Sequence, residues 1–352
     1  MSTTPAGPVS LPWRRFLRFS LRGMIVLVLL IGVWLGWLVR SARIQGEAVA
    51  AIQKAGGTIG YSWERSTGKP ISAGKPNAPK FLTAFVGADF FGHVTDVRLS
   101  PNATDAILVH VGQLSRLKHL DVAGAWLNRS QPLLIRSRSS VTDKGVENLT
   151  GLSELQSLDL RNTEVSDDGL KHLKGLTNLR SLALGNSQVT DAGLAHLKAL
   201  KKLVTLDLGC TQVTGTGLAH LKNLTKLSTI NFQGSEITDA GLAHLGQLTK
   251  LSFVDLGVTS VSDAGLTHLK WLTNLSTLRL DRTRISGAGL AYVNELNSLT
   301  ELRLRSTLVN DIGLARLNGL TRLKLLDLRS TWVSAVGVQE FDRRQPSVLI
   351  YY

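Results

Sequence analysis

The chain has 352 residues, 43% hydrophobic and 19% charged, so it can bury a sizeable core and is too apolar to be disordered throughout. Its net charge of +14 is not spread evenly along the chain and does not indicate one continuous basic surface. Residues 1–44 hold six arginines and no acid, whereas residues 151–272 carry eleven charges of each sign. The single cysteine, Cys210, excludes an intramolecular disulfide and a thiolate metal cluster.

The first predicted element is an apolar helix at residues 23–39 (GMIVLVLLIGVWLGWLV), which contain no charge and no proline. As a helix this run is about 26 Å long, close to the thickness of a bilayer core. Trp34 and Trp37 lie near its end, where interfacial aromatic residues are expected. The run therefore predicts a transmembrane signal-anchor.

The charges beside this run predict its orientation. Residues 1–22 form a basic tail with four arginines, whereas only Arg40 and Arg43 follow the run closely. Because the more positive flank stays in the cytoplasm, we expect a cytoplasmic tail and a single-pass protein whose remainder lies outside, in the periplasm or at the cell surface. A cleaved signal peptide is the alternative, with Ala48-Val49-Ala50 as the A-x-A-like site.

Residues 40–90 are predicted to form a juxtamembrane and N-terminal cap region. A helix is expected over residues 44–55 and a strand over 58–63. A flexible loop is expected near residues 66–79, which are rich in Gly, Pro, Ser and Lys. The apolar residues 80–91 are suited to covering the first unit of the domain that follows.

A 24-residue repeat dominates the rest of the chain. Its unit reads L-x-x-L-x-x-L-x-L-x-x-T-x-V-[ST]-D-x-G-L-x-x-L-x-x. Eight regular copies begin at Leu152, Leu176, Leu200, Leu224, Leu248, Leu272, Leu296 and Leu320. An irregular copy begins at Leu114 and carries an insertion near residues 126–139, and a degenerate copy precedes it.

The pattern resembles the leucine-rich-repeat family, and within it the bacterial proteins whose units carry the T-x-V-[ST]-D-x-G-L segment. The resemblance covers roughly residues 90–352 and implies an α/β fold: a leucine-rich-repeat solenoid, or horseshoe, with a parallel concave sheet and short convex helices. One transmembrane helix precedes it. The repeat domain is assigned to residues 91–352, with a C-terminal cap at 338–352 that ends in a closing strand.

The repeat unit supports this fold on physical grounds. Leu158-Asp159-Leu160 alternates with the period of a strand, and Leu170, Leu173 and Leu176 follow the spacing of a short helix. The Thr/Ser column is predicted to form a hydroxyl ladder between turns, and the glycine column to permit close contact between their backbones. The first consists of Thr163, Ser187, Thr211, Ser235, Thr259, Thr283, Thr307 and Thr331, and the second of Gly169, Gly193, Gly217, Gly241, Gly265, Gly289, Gly313 and Gly337.

Catalytic and metal sites are not indicated. Five histidines recur at one helical position, and aspartates recur on the strands. The histidines could form a metal array and the aspartates a catalytic carboxylate pair; the alternative is that both are repeated surface positions. Adjacent helices lie too far apart for two histidine rings to share a metal. No phosphate-binding, nucleophile or metalloprotease motif occurs. We therefore expect no enzyme activity, cofactor or metal.

Arginines gather on the concave face of the C-terminal repeats and form the first candidate binding site: Arg279, Arg282, Arg303, Arg305 and Arg329. Arg279 and Arg303 should be neighbours on adjacent strands, which requires neutralisation by acids or by a ligand. Two interpretations stay open: a site for an anionic envelope ligand or protein, and a self-neutralised lattice of ion pairs. Nucleic acid is not expected, because this face lies outside the cytoplasm and has little aromatic interleaving.

Exposed apolar side chains form the second set of candidates. Phe253 is expected on the concave face, and Trp332 lies beside the Thr/Ser column. The insertion contributes Trp126, Leu133 and Leu134, and is either a binding loop or part of the cap.

The sequence thus predicts a non-enzymatic, membrane-tethered module that binds a protein or other ligand outside the cytoplasm. A structural envelope scaffold without a specific ligand is the alternative. The oligomeric state is not indicated by the sequence.

Overall fold

A computed structural model describes residues 21–62, 92–123 and 139–352 of the chain. Most of the predicted basic tail, the loop at 66–79 and the apolar segment at 80–91 lie outside the described residues. So does most of the insertion, including Trp126, Leu133 and Leu134.

One long helix, α1, begins the described chain and extends over Leu21–Lys54. It contains both the apolar run and the helix expected at residues 44–55, because no helix-breaking residue separates them. Its apolar side chains from Met24 to Val39 are exposed except Leu38, which is half-buried, whereas Ala48, Val49 and Ile52 are buried against the rest of the protein. Gly56 ends the helix with a φ of 77°.

Within the described residues, a single sheet of twelve strands forms one side of the molecule, in chain order from β1 to β12. β1 (Thr58–Tyr61) pairs antiparallel with β2, and every later neighbour pairs in parallel. The strands from β2 onward are Val94–Arg98, His119–Asp121, Ser157–Asp159, Ser181–Ala183, Thr205–Asp207, Thr229–Asn231, Phe253–Asp255, Thr277–Arg279, Glu301–Arg303, Leu325–Asp327 and Leu349–Tyr351.

Short helices form the other side. The α-helices α2 to α10 are Asp105–Val111, Asp143–Glu147, Asp167–Leu170, Asp191–Leu194, Asp239–Leu242, Asp263–Leu266, Leu290–Val293, Asp311–Ala315 and Ala335–Arg344. The 3₁₀ helices are Lys171–Gly175, Ala195–Ala199, Thr216–Leu221, Leu245–Gln247, Leu269–Trp271 and Arg316–Gly319. Hydroxyl groups cap several α-helices; the Ser166 hydroxyl, for example, accepts a hydrogen bond from the Asp168 N–H.

The core lies between these two layers and repeats with the sequence. The central strand leucines and the helix leucines are buried in every regular unit, as Leu158, Leu170 and Leu173 illustrate. One unit cannot enclose its own leucines, and stacking with its neighbours covers them. The predicted solenoid, with a parallel sheet and short helices, is confirmed.

A left-handed turn ends each strand of the regular repeats. Seven residues other than glycine at this position have φ between 54° and 58°: Asn162, Asn186, Cys210, Val258, Arg282, Ser306 and Ser330. Asparagine tolerates this conformation, whereas a β-branched residue such as Val258 is strained there. The residue types at this position vary so widely that sequence reasoning missed the turn.

The predicted hydroxyl ladder between turns is wrong. Seven of its eight hydroxyls instead bond within their own repeat, and Ser187 is the exception. Thr211 Oγ1 donates to the Leu208 carbonyl at 2.6 Å, and Ser235 Oγ donates to the Phe232 carbonyl at 2.7 Å. The residue three positions earlier follows the last residue of the strand, so its carbonyl is free to accept this bond.

Aspartates at the helix starts form the ladder that does join successive turns. Asp167 accepts hydrogen bonds from both the backbone N–H and the hydroxyl of Thr190, at 2.9 and 2.6 Å. The same double contact joins Asp143 to Ser166 and Asp263 to Ser286. These carboxylates therefore join consecutive repeats, a role that the sequence analysis did not assign to them.

The glycine column makes room for this ladder. A Cβ at Gly193 would overlap the Asp167 carboxylate of the preceding turn. The predicted close approach is thus confirmed, but at Gly193 its partner is a carboxylate and not the backbone. Gly217 does approach the backbone, at Asp191.

Candidate functional site

The concave surface consists of the strand residues on either side of each buried central leucine. Because side chains alternate along a strand, these two positions project outward together. Parallel pairing aligns each position with its equivalent in the next repeat; Arg279 lies opposite Arg303, as the repeat predicts. The surface therefore consists of continuous rows of equivalent residues.

The middle of the concave surface is polar, and its charged groups are already paired. Arg161 donates to both carboxylate oxygens of Asp159, and this contact holds the pKa of Arg161 above its ordinary value. Asp207 accepts hydrogen bonds from the Gly209 N–H at 3.0 Å and from the Asn231 amide at 2.8 Å. Arg161 thus neutralises Asp159, whereas Asp207 is held in place by neutral donors.

The C-terminal concave strip comprises the outward residues of β8 to β11 and the residues that follow them. Arg279 lies 3.6 Å from Asp255 and 3.4 Å from Glu301, and Arg303 donates to the same Glu301 at 2.7 Å. Arg279 also lies over the Phe253 ring, 5.0 Å from its centroid. The predicted repulsion between Arg279 and Arg303 is therefore relieved by acids of the protein itself.

Arg329 is held in the same way at the far end of the strip. It donates to both oxygens of Asp327, at 2.9 and 2.6 Å, and lies over the Tyr351 ring. With Arg303 and Leu325, these three residues line an open hollow of about 290 Å³. This hollow is a shallow polar surface and not an enclosed substrate pocket.

The acids of the strip differ in how readily they ionise. Burial raises the pKa of Asp255 although the Gly257 N–H and Arg279 oppose it, and burial likewise raises the pKa of Asp281. Burial also disfavours ionisation of Asp327, but the hydrogen bonds from Arg329 outweigh it and lower the pKa. The strip thus holds two acids that ionise reluctantly and one that ionises readily.

Two arginines of the strip differ from the others. Arg282 and Arg305 are exposed, and neither forms an ion pair with any residue that the structure describes. Asp281 accepts a hydrogen bond from the backbone N–H of Arg305, at 3.0 Å, and not from the guanidinium group of this residue. These two side chains are the ones available to an anionic partner.

The apolar flank is a second surface and adjoins the end of the strip. It comprises Leu308, Ile312, Trp332 and Val336, with exposed fractions of 51%, 72%, 74% and 73%. Trp332 comes three residues after Arg329, at the turn from the concave strand toward α10. Leu308 and Ile312 precede Trp332 and Val336 by one repeat each, so the four positions form two neighbouring columns.

The flank is peculiar to the last two repeats. Upstream residues in the Trp332 column are Glu164, Gln188, Gln212, Glu236, Ser260 and Arg284, and those in the Val336 column are Asp168, Ala192, Thr216, Ala240, Ala264 and Ala288. Polar or small residues therefore give way to large apolar ones at the same solvent-facing positions. Sequence reasoning found Trp332 but missed its three neighbours, which a comparison of columns would have found.

The histidine column lies on the helical side. Burial and the nearby Lys174 and Lys171 lower the pKa of His196, which favours its neutral form. Among the described residues no three His, Cys, Asp or Glu side chains converge as metal ligands do.

Comparisons with known proteins were consistent with the repeat assignment. A family profile described as Leucine Rich repeat matches residues 153–174 and 175–197. The fold is a leucine-rich-repeat solenoid. No curated protein matches the sequence.

Two solved structures illustrate the similarity of fold. An internalin from Listeria monocytogenes is 19% identical with a TM-score of 0.52, over 73% of this chain and 79% of the internalin. The mouse RP105/MD-1 complex is 19% identical with a TM-score of 0.51, over 70% of this chain but only 39% of that one. The leucine-rich-repeat solenoid described here thus resembles both a bacterial and a mammalian protein in its fold.

Proposed function

We propose that the protein is a non-enzymatic interaction module, anchored by α1 in a membrane and displayed outside the cytoplasm, that binds a partner protein through the apolar flank and the adjoining C-terminal concave strip. The observation that carries the proposal is the change from polar or small residues to four large apolar ones in the last two repeats. Clustered exposed apolar side chains rimmed by polar groups are typical of protein-binding surfaces.

The C-terminal concave strip supports the same location for the binding surface. Exposed tryptophan and arginine side chains are over-represented where binding energy concentrates; Trp332 is exposed on the flank, and Arg282 and Arg305 are exposed on the adjoining strip. The two arginines suit carboxylate groups of the partner, since the other arginines of the strip are paired within the protein.

The membrane anchor rests on α1. It is the one helix among the described residues long and apolar enough to cross a bilayer, and none of its apolar window is buried. A cleaved signal sequence would pass the same test. Burial of Ala48, Val49 and Ile52 against the solenoid favours the anchor, because cleavage after Ala50 would remove two of these three core contacts.

One solved relative supports a binding role by analogy of fold. The mouse structure is described as a complex of two proteins, RP105 and MD-1. The analogy does not identify a partner, because this fold carries many different ones.

The proposal is tested by proximity labelling in intact membranes with the full chain. Leu308→Gln combined with Trp332→Gln restores the residue type that earlier repeats carry at these positions. We expect the double variant to lose the labelled neighbours of the wild type. Trp271→Gln is the matched control, since this tryptophan is 62% exposed on the opposite, helical side. Unchanged neighbours in the double variant contradict the proposed surface.

A structural scaffold without a specific ligand is the second candidate. The ion pairs of Arg279, Arg303 and Arg329 favour it, because these charges need no partner. A scaffold predicts that neither the flank variant nor Arg282→Gln with Arg305→Gln changes the set of labelled neighbours.

A further inference from the structure

Helix α1 joins the apolar run to the solenoid without a break. The helix extends over Leu21–Lys54, and Ile52 is fully buried in the solenoid core. Gln45 bridges the two parts, because its side chain donates to the Gly92 carbonyl at 2.9 Å and accepts from the Val94 N–H at 3.3 Å. A continuous helix packed in this way holds the first repeat at a fixed distance from the apolar run.

This distance places the first repeat at the depth of lipid headgroups. Gln45 lies six residues beyond Val39, the last residue of the apolar run, which is about 9 Å along a helix. The headgroup layer on each side of a bilayer is roughly 5–8 Å thick. Gln45 therefore lies at the outer edge of the headgroup layer, and residues of the solenoid that face α1 between Arg40 and Ile44 lie among headgroups when α1 spans the membrane.

A crevice of about 660 Å³ opens at this level between α1 and the first repeat. Its lining combines apolar and cationic side chains. Trp37 and Leu38 belong to the apolar run of α1, Arg40 follows them along the helix, and the solenoid contributes His93, Ser115 and Arg116 beside the apolar Leu114. Such a combination of apolar, cationic and hydroxyl groups suits a phospholipid, whose acyl chains and phosphate are joined in one molecule.

The cationic end has charge available for a ligand. Arg40 forms no ion pair within the part of the chain that the structure describes. Arg116 lies 3.4 Å from Glu154, but both side chains are well exposed, at 57% and 38%, and an exposed pair of this kind holds its arginine weakly. Arg43, the next arginine of α1, pairs with Glu47 at 2.9 Å and does not line the crevice.

We propose that this crevice binds the headgroup of one anionic phospholipid from the membrane that α1 spans, with Arg40 and Arg116 on the phosphate and Trp37 and Leu38 along the start of the acyl chains. The inference rests on the proposed membrane anchor. Continuity of the crevice with the apolar run selects a lipid over a free phosphate ion, which would leave the apolar end uncovered.

The test is native mass spectrometry of the full chain in mild detergent, titrated with phosphatidylglycerol or with phosphatidylcholine. We expect the wild type to retain one phosphatidylglycerol and to bind phosphatidylcholine more weakly. Arg40→Gln with Arg116→Gln should weaken phosphatidylglycerol binding about tenfold or more, because charge-assisted bonds to phosphate are lost. Glu154→Gln should strengthen it by releasing Arg116.

Arg43→Gln is the matched control and should bind as the wild type does. Equal binding by the Arg40 and Arg116 double variant, or equal binding of the two lipids, overturns the proposal. If inorganic phosphate displaces the bound lipid as efficiently as added phosphatidylglycerol, the site binds phosphate alone and the lipid assignment is overturned. Alkaline carbonate extraction distinguishes failure of the membrane anchor from failure of the lipid site. A chain released from membranes refutes the anchor, whereas a retained chain without lipid selectivity refutes only the lipid site in the crevice.

Discussion

Single side chains in this solenoid differ in what they contribute even when they occupy equivalent positions. Thr211 and Ser187 belong to one column of buried hydroxyls. The Thr211 hydroxyl donates to the Leu208 carbonyl at 2.6 Å, whereas the Ser187 hydroxyl is buried without a hydrogen-bond partner. The serine therefore bears the cost of desolvation without the compensating bond.

We predict opposite effects from removing these two hydroxyls. Thr211→Val keeps the shape of the side chain and should lower the free energy of unfolding by about 1 kcal/mol, because the Leu208 carbonyl loses its partner. Ser187→Ala should leave the free energy unchanged or raise it. Urea denaturation of the full chain in detergent measures both. A larger loss from Ser187→Ala than from Thr211→Val would contradict this account of the column.

Sequence reasoning recognised this column but not its bonding. Residue type and burial were visible in the repeat, whereas the direction of a hydroxyl depends on the turn that follows the strand. That turn is left-handed at Asn162, Val258 and Arg282 alike. Because these residue types share no preference for the left-handed conformation, the sequence did not predict the turn.

Successive turns of the solenoid are joined by the aspartate ladder, and the ladder depends on glycine. The Asp167 carboxylate fills the space beside Gly193 that a side chain would otherwise take. Where the repeat has glycine in place of the aspartate, as at Gly215, the ladder is interrupted, and Thr238 bonds the Thr214 carbonyl instead.

Gly193→Ala should therefore destabilise the protein by about 1–3 kcal/mol, the usual cost of forcing an extra methyl group into a packed site. Gly175→Ala is the control within the same repeat region, because the nearest atom to its added Cβ is 3.9 Å away. The two variants are compared by their urea denaturation midpoints. Equal midpoints would show that the carboxylate is not held in place.

The ladder also predicts a pH dependence. Burial opposes ionisation of Asp191, but bonds from the Thr214 hydroxyl and from backbone N–H groups outweigh it and lower its pKa. A lowered folded pKa contributes stability above the unfolded pKa, near 4, and this contribution is lost as the pH falls through the folded value. Asp191→Asn should thus destabilise the protein more at about pH 7 than at about pH 3.

Asp281 should behave in the opposite way, because burial raises its pKa. Its ionisation disfavours the folded state, and Asp281→Asn removes that cost as the pH rises past the unfolded pKa. Relative to the wild type, this variant should gain stability between about pH 3 and about pH 7. Thermal unfolding of both variants and of the wild type at the two pH values tests these predictions. If the stability of Asp191→Asn and that of Asp281→Asn, each relative to the wild type, changed in the same direction with pH, the opposite roles of the two carboxylates would be refuted.

The solenoid as a whole follows from its sequence more directly than its surfaces do. The 24-residue spacing of leucines determined the stacked coils, because burial of those leucines requires neighbours. The candidate binding surface was harder to predict: the arginine row was visible, but its neutralisation by Asp255, Glu301 and Asp327 depends on rotamers and on distances between strands. Similarly, the continuity of α1 with the cap appears only in three dimensions.

The whole molecule is proposed to work as a solenoid held by a helix at a membrane and presented outside the cytoplasm. The one cysteine of the chain tests this arrangement directly. Cys210 is exposed on the solenoid. Partial burial of its sulfur and the nearby Asp207 nevertheless raise the pKa of its thiol, so labelling requires a mildly alkaline buffer.

The measurement is labelling of spheroplasts with a membrane-impermeant maleimide, before and after lysis. We predict that Cys210 reacts equally in both samples. In a Cys210→Ser background, Ser2→Cys in the basic tail should react only after lysis. Labelling of Cys210 that appears only once the membrane is broken would place the solenoid in the cytoplasm and contradict the central proposal.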